Sequence, residues 1–121
     1  MRQSLVAARA AQLGIAPSTF NGLAPGSTYY AFDGPTNTYW AAAAMDVPTG
    51  NAPVGSDLYK AQVASQDDGA YLLFSQPAGS STWTVYQDGA VGPNTPCAVT
   101  VPASVVAVWG WPAGSCRAPG H

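Results

Sequence analysis

Few side chains in this sequence can move protons, attack a substrate or hold a metal, and their placement limits the chemistry available. The one histidine, His121, is the last residue. A Ser-His-Asp or Cys-His set needs a histidine oriented by packing and by a third group, which a chain end does not supply. All six acidic residues are aspartates, and glutamate is absent. Asp33, Asp67, Asp68 and Asp88 belong to Gly-containing turns, while Asp46 and Asp57 border the loop at 46–57. Turn chemistry accounts for them, because a short carboxylate accepts from nearby backbone N–H groups. General acid and base work needs two acids held at a set separation, and no such pair stands out. Asp67-Asp68-Gly69 lacks the alternating oxygen ligands and the Glu of a calcium loop. Two thiols and a terminal imidazole do not complete a zinc site, and no Gly-rich turn between strand and helix is placed to cradle phosphate. The expectation is a non-enzymatic chain with no metal and no cofactor; a small Asp-dependent hydrolase is the one enzyme class left.

Aromatic side chains remain as the candidate contact groups. Tyr29, Tyr39, Trp40, Tyr71, Tyr86 and Trp111 are read as partner-binding candidates, because they alternate with positions assigned to the core and because Tyr and Trp offer a large contact area with a polar tip. The competing reading is that they cover the second face of the sheet beneath the N-terminal helix or the 46–57 loop. Trp109 is expected in the core. Trp111, between Gly110 and Pro112, is expected to be partly exposed.

The elements that must position these groups follow from composition and pattern. With 121 residues and 47% hydrophobic content, the chain fits a single domain, 1–121, with a modest core. Charged residues make up 8%, against about 25% in an average soluble protein. Disorder normally pairs low hydrophobicity with high charge, so a folded domain is expected despite 13 Gly and 11 Pro. A net charge of −2 with four Lys and Arg offers no basic track for phosphates, which argues against nucleic acid. No apolar run is long enough to span a bilayer. The opening MRQSLVAARAAQLG lacks the apolar core of a signal peptide, which leaves open a removed export signal or a cytosolic start.

Residues 3–13 are rich in Ala, Leu, Gln and Arg and end at Gly14, which predicts a helix with Val6, Ala10 and Leu13 on one arc. A Pro- and Gly-broken connector follows at 15–27. The stretch 29–45, YYAFDGPTNTYWAAAAM, reads as a β-hairpin, two aromatic runs around the turn DGPTNT. The alanines at 41–44 fit either a central strand that lets a helix approach closely or a helix starting after Trp40; Pro48 and Gly50 favour the strand. After the loop at 46–57, three strands are predicted at 58–66, 71–76 and 82–87, as a meander with Tyr59, Ala61 and Val63 facing the core. Pro102 is placed at the first position of a short helix, ASVVAVWG, with Val105, Val108 and Trp109 recurring on one face and Gly110 at its end; a β-strand is the rival reading because of the three valines.

Cys97 and Cys116 flank that last helix. An even pair in a small, weakly charged chain reads as a disulfide, and closing a loop of about 20 residues contributes roughly 3 kcal/mol in the chain-entropy model. Two buried free thiols are the alternative. The fold class is therefore α+β: an N-terminal helix packed on an antiparallel meander sheet of about five strands, with a short C-terminal helix in a disulfide-closed segment.

The hairpin together with DDGAYLLFSQP, TWTVYQDG and the ending PCAVTVPASVVAVWGW resembles small exported or lipid-anchored proteins of actinobacteria without an assigned activity. The resemblance covers most of the chain and strengthens export and the Cys97–Cys116 bridge; it implies no functional residue, and the chain has no lipobox cysteine. In layout alone, helix, meander and C-terminal cysteine loop are similar to the globular part of type IV pilins, without their long apolar helix. The expected function is an exported domain, secreted or at the cell surface, that presents aromatics to a protein, glycan or cell-wall partner. The alternative is a self-associating structural subunit of a surface assembly or filament.

Overall fold

The computed structural model describes residues 2–24, 28–67, 72–87 and 99–116. Helix α1 (Arg2–Leu13) leads through a 3-10 turn at Pro17–Thr19 to strands β1 (Tyr29–Asp33) and β2 (Thr38–Ala43). Helix α2 (Asp57–Asp67), strands β3 (Leu72–Pro77) and β4 (Thr84–Gln87), and helix α3 (Ala103–Trp109) follow. The strands form one antiparallel sheet in the order β1-β2-β3-β4. The α+β class, the N-terminal helix, the antiparallel sheet and the C-terminal helix agree with the expectation. The sheet has four strands among the described residues, not five.

The missing strand is the segment predicted at 58–66, which is helix α2. Its start is a local signal. Ser56 Oγ accepts the Tyr59 N–H at 3.2 Å, the N-cap geometry that supplies one of a helix's orphan donors with an acceptor. Asp57 sits in the first turn, favourable at the positive end of the helix dipole. Its Oδ2 also accepts the Ala16 N–H at 3.0 Å, tying α2 to the chain after α1. The alternation read as a strand also contains helix formers throughout, and only Ala61 is fully buried. Tyr59 and Val63, expected in the core, are each 36% exposed. Replacing Ser56 by alanine is expected to cost about 1 kcal/mol, read as a lower urea midpoint with an unchanged slope.

Two layers of helix enclose the sheet. One core joins Leu5, Val6 and Ala10 of α1 to Ala41, Ala43, Leu72 and Phe74, with Ile15, Phe20, Leu23, Ala61 and Trp83. The other joins Val105, Val106 and Trp109 of α3 to Trp40, Ala42 and Leu73, with Val101, Trp111 and Cys116. Alternate side chains of β2 and β3 enter opposite cores, as the two-residue period of a strand requires. The alanine run is strand as far as Ala43, and all four alanines are buried. Ala41 and Ala43 receive the N-terminal helix, as the close approach predicted, while Ala42 receives α3. Arg9, on the inner arc of α1, is 3% exposed and donates to Gln12 Oε1.

In α3, Pro102 stands at the N-cap, one residue before the predicted position, and Gly110 closes the helix at φ 73°. Val105, Val106 and Trp109 are buried, but Val108 is 73% exposed, so the predicted buried face is rotated toward Val106. Among the described residues no disulfide is complete: Cys97 lies outside them, and Cys116 is buried in the α3-side core.

Candidate functional site

The hairpin places its aromatics on both faces of the sheet, and the helices decide which stay accessible. Phe32 lies opposite Tyr39, and Tyr39 opposite Gln76, so these three form a row across one face. Tyr30 lies one step along, opposite Ala41. This is the α1 face, but α1 lies toward β4: Trp83 Nε1 donates to Ser4 Oγ at 3.1 Å, and Gln12 Nε2 donates to the Val85 carbonyl at 3.4 Å. A helix is about 10 Å wide and strands stand about 4.8 Å apart, so one helix does not roof four strands. The β1 margin is left open. Phe32 is 49% exposed, Tyr39 39% and Tyr30 36%; the rings of Phe32 and Tyr39 touch at 4.7 Å, tilted by 50°. A groove of about 210 Å³ runs along them, lined by Tyr30, Ala31, Phe32, Tyr39, Trp40 and Trp83.

The opposite face is covered by α3, with Tyr29 and Tyr86 half-buried against its core. Tyr29 meets Trp111 edge-on at 5.4 Å and Trp109 at 5.9 Å, and Trp109 and Trp111 meet at 4.8 Å. Trp40 stacks with Tyr86 at 6.2 Å, and the Tyr86 hydroxyl shares a 2.9 Å hydrogen bond with Ser75. Among the described residues the buried indole Nε1 groups of Trp40, Trp109 and Trp111 have no hydrogen-bond partner, and the ring contacts above are the interactions that hold these side chains.

The six predicted contact residues thus do not form one patch. Tyr29, Trp40, Tyr86 and Trp111 pack under α3, Tyr39 stands alone on the open margin, and Tyr71 lies outside the described residues. Trp111 is a correction, because it is 6% exposed. Gly110 in the left-handed conformation turns the chain back, and the Trp111 N–H bonds the Val106 carbonyl at 3.0 Å. Such an ending commonly packs the residue after the glycine onto the last turn, so the order Val-Trp-Gly-Trp already held the signal for its burial. Phe32 and Tyr30 are accessible rings outside the predicted set: the alternation alone places Tyr29 outward, whereas α3 covers the Tyr29 face.

Asp33 ends β1 and is 4% exposed. It accepts from the Thr36 hydroxyl, from the Ser104 hydroxyl at 2.9 Å and from the Thr36 N–H at 3.3 Å. The turn role read from the sequence is present, with an added tie to α3. The Thr36 hydroxyl first, then Ser104 and the Thr36 N–H, hold the carboxyl below its usual 3.8, against burial, which pulls it up. A carboxylate so stabilised is a poor proton acceptor for catalysis. Because its folded value is depressed, its contribution to stability is full above the unfolded value and lost as pH falls through the folded one. Urea midpoints measured from about pH 6 to about pH 3 should fall on acidification, and the fall should be shallower in Asp33→Asn. Equal pH slopes in the two proteins would remove the role assigned to Asp33.

Among the described residues no three His, Cys or Asp side chains gather as a metal site, and no helix is long and apolar enough to cross a membrane. A second cleft, of about 360 Å³, lies between the 47–50 loop and the Gln62, Ser65 and Gln66 side of α2. Gln62 closes part of it by donating to the Pro48 and Gly50 carbonyls at 3.1 and 3.0 Å. Comparison with protein-family models, with curated proteins and with solved structures finds no match to this chain, so its function is argued from the open hairpin margin and its surroundings.

Proposed function

We propose that this chain is a non-enzymatic binding domain of the cell exterior, secreted or held at the surface, that engages its partner through the open margin of the hairpin. The observation that carries this reading is the group Tyr30, Phe32 and Tyr39, three large rings 36–49% exposed on adjoining strands. Isolated exposed apolar residues are ordinary, whereas contiguous ones mark interaction surfaces. The thin inventory of catalytic groups supports the non-enzymatic part. Export rests on the proposed Cys97–Cys116 bridge, which would anchor the chain around α3; the burial of Cys116 and the lack of a free cysteine among the described residues support it. Thiol counting in denaturant without reductant tests that part, and two free thiols would remove the argument for export.

A second reading, a self-associating subunit of a surface assembly, is favoured by α3, whose residues ASVVAVW carry no charge and leave Val108 73% exposed. Two measurements separate the readings. Amide shifts should cluster at residues 30–32 and 39 when a library of small neutral heterocycles and sugars is added, and fragments that never touch this margin would overturn the binding reading. A hydrodynamic size that stays monomeric as concentration rises would count against assembly.

A further inference from the structure

The open margin has a chemistry that narrows its partner. Its row reads ring, ring, carboxamide, from Phe32 through Tyr39 to Gln76, because each residue lies opposite the next in the sheet register. Gln76 is half-buried beside Pro77 at the end of β3, and among the described residues its side chain has no hydrogen-bond partner. None of the six described residues lining the groove is charged. Asp33, which follows Phe32 in β1, belongs to the other face and is engaged by Thr36 and Ser104. Among the described residues the groove offers a charged peptide or a polyanion no complementary side chain to fix its register.

The groove, at about 210 Å³, is smaller than the roughly 300–1,000 Å³ typical of drug-sized pockets. A ring-sized group fits it. A pyranose presents a face of C–H groups and a rim of hydroxyls, apolar toward an aromatic face and a donor and acceptor toward an amide. Phe32 and Tyr39 of the groove supply the rings, and the Tyr39 hydroxyl together with the carboxamide of Gln76, the next residue of the row outside the groove lining, supplies both hydrogen-bond roles.

We propose that the row Phe32, Tyr39 and Gln76 is a subsite for a sugar residue of a neutral glycan. This rests on the reading of the margin as a binding surface.

The test is depletion of the purified chain from solution by insoluble chitin, cellulose and starch, with heparin and polygalacturonate as charged controls. Retention on at least one neutral polymer and on neither polyanion is expected. Phe32→Ala and Tyr39→Ala should each weaken it about tenfold, and Gln76→Ala about threefold. All three positions are at least partly exposed, and an unchanged circular dichroism spectrum and urea midpoint would show that each variant folds. No retention on any neutral polymer, or retention equal in Phe32→Ala and the native chain, overturns the glycan subsite. If the native chain instead dimerises and Phe32→Ala does not, the glycan subsite falls while the margin stands as a contact surface. If heterocyclic fragments shift residues 30–32 and 39 but no sugar does, the result is the same.

Discussion

Phe74→Ala is expected to cost about 3–5 kcal/mol, the range for truncating a buried ring whose surroundings relax only in part. Phe74 is fully buried at the centre of β3, meets Trp83 edge-on at 6.5 Å, and lies opposite Ala41 on one side and Val85 on the other. The alanine has no atoms to move into the space, and Val85 is fixed by its own strand. Native domains are stable by about 5–15 kcal/mol, so the variant should unfold at far lower urea, or fail to fold at body temperature. Urea titration followed by Trp fluorescence checks it. A loss below about 1 kcal/mol would show that α1 collapses into the gap, contrary to the tight packing assigned to this layer.

Ala41→Leu and Ala42→Leu should each destabilise by about 1–3 kcal/mol or more, through overpacking instead of cavity formation. The two alanines are adjacent in sequence and fully buried, but on opposite faces of β2: Ala41 in the α1 core and Ala42 in the α3 core. Added methylenes must displace a helix, because the interior is packed to crystal-like density. The affected helix should differ between the variants. Amide shifts in Ala41→Leu should concentrate in 5–10, and in Ala42→Leu in 105–109. Near-neutral stability in both would mean that the sheet is less tightly enclosed than its burial indicates.

Several elements were legible from residue pattern because their signals are local. The N-terminal helix ends where Gly14 takes a positive φ of 70°, a conformation that costs glycine little. The hairpin turn is closed by Asp33 and by Asn37 at φ 53°, both residues that suit turns. Gly110 closes α3. The strand reading of the alanine run also holds, since the flanking aromatics and the early Pro48 outweigh the helix preference of alanine.

Other features were not legible, for identifiable reasons. Residues 58–66 satisfy a two-residue alternation and a helical composition at once, and the arbiter was the Ser56 cap, one hydrogen bond outside the apolar pattern. Trp111 carried a readable signal in the glycine before it. The accessible rings carried none: Tyr29, Tyr30, Phe32, Tyr39 and Trp40 are equally apolar on both faces of the hairpin, so their alternation separates two sets without saying which is covered.

The sequence by itself determined the α+β class, both terminal helices, the hairpin and the scarcity of catalytic groups, because each depends on composition or on residues a few positions apart. Only the tertiary structure decided that α3 packs over the Tyr29 and Trp40 face and that α1, lying toward β4, leaves Phe32 and Tyr39 open. That outcome depends on where helices distant in sequence come to rest on a sheet wider than either of them, and no local pattern encodes it.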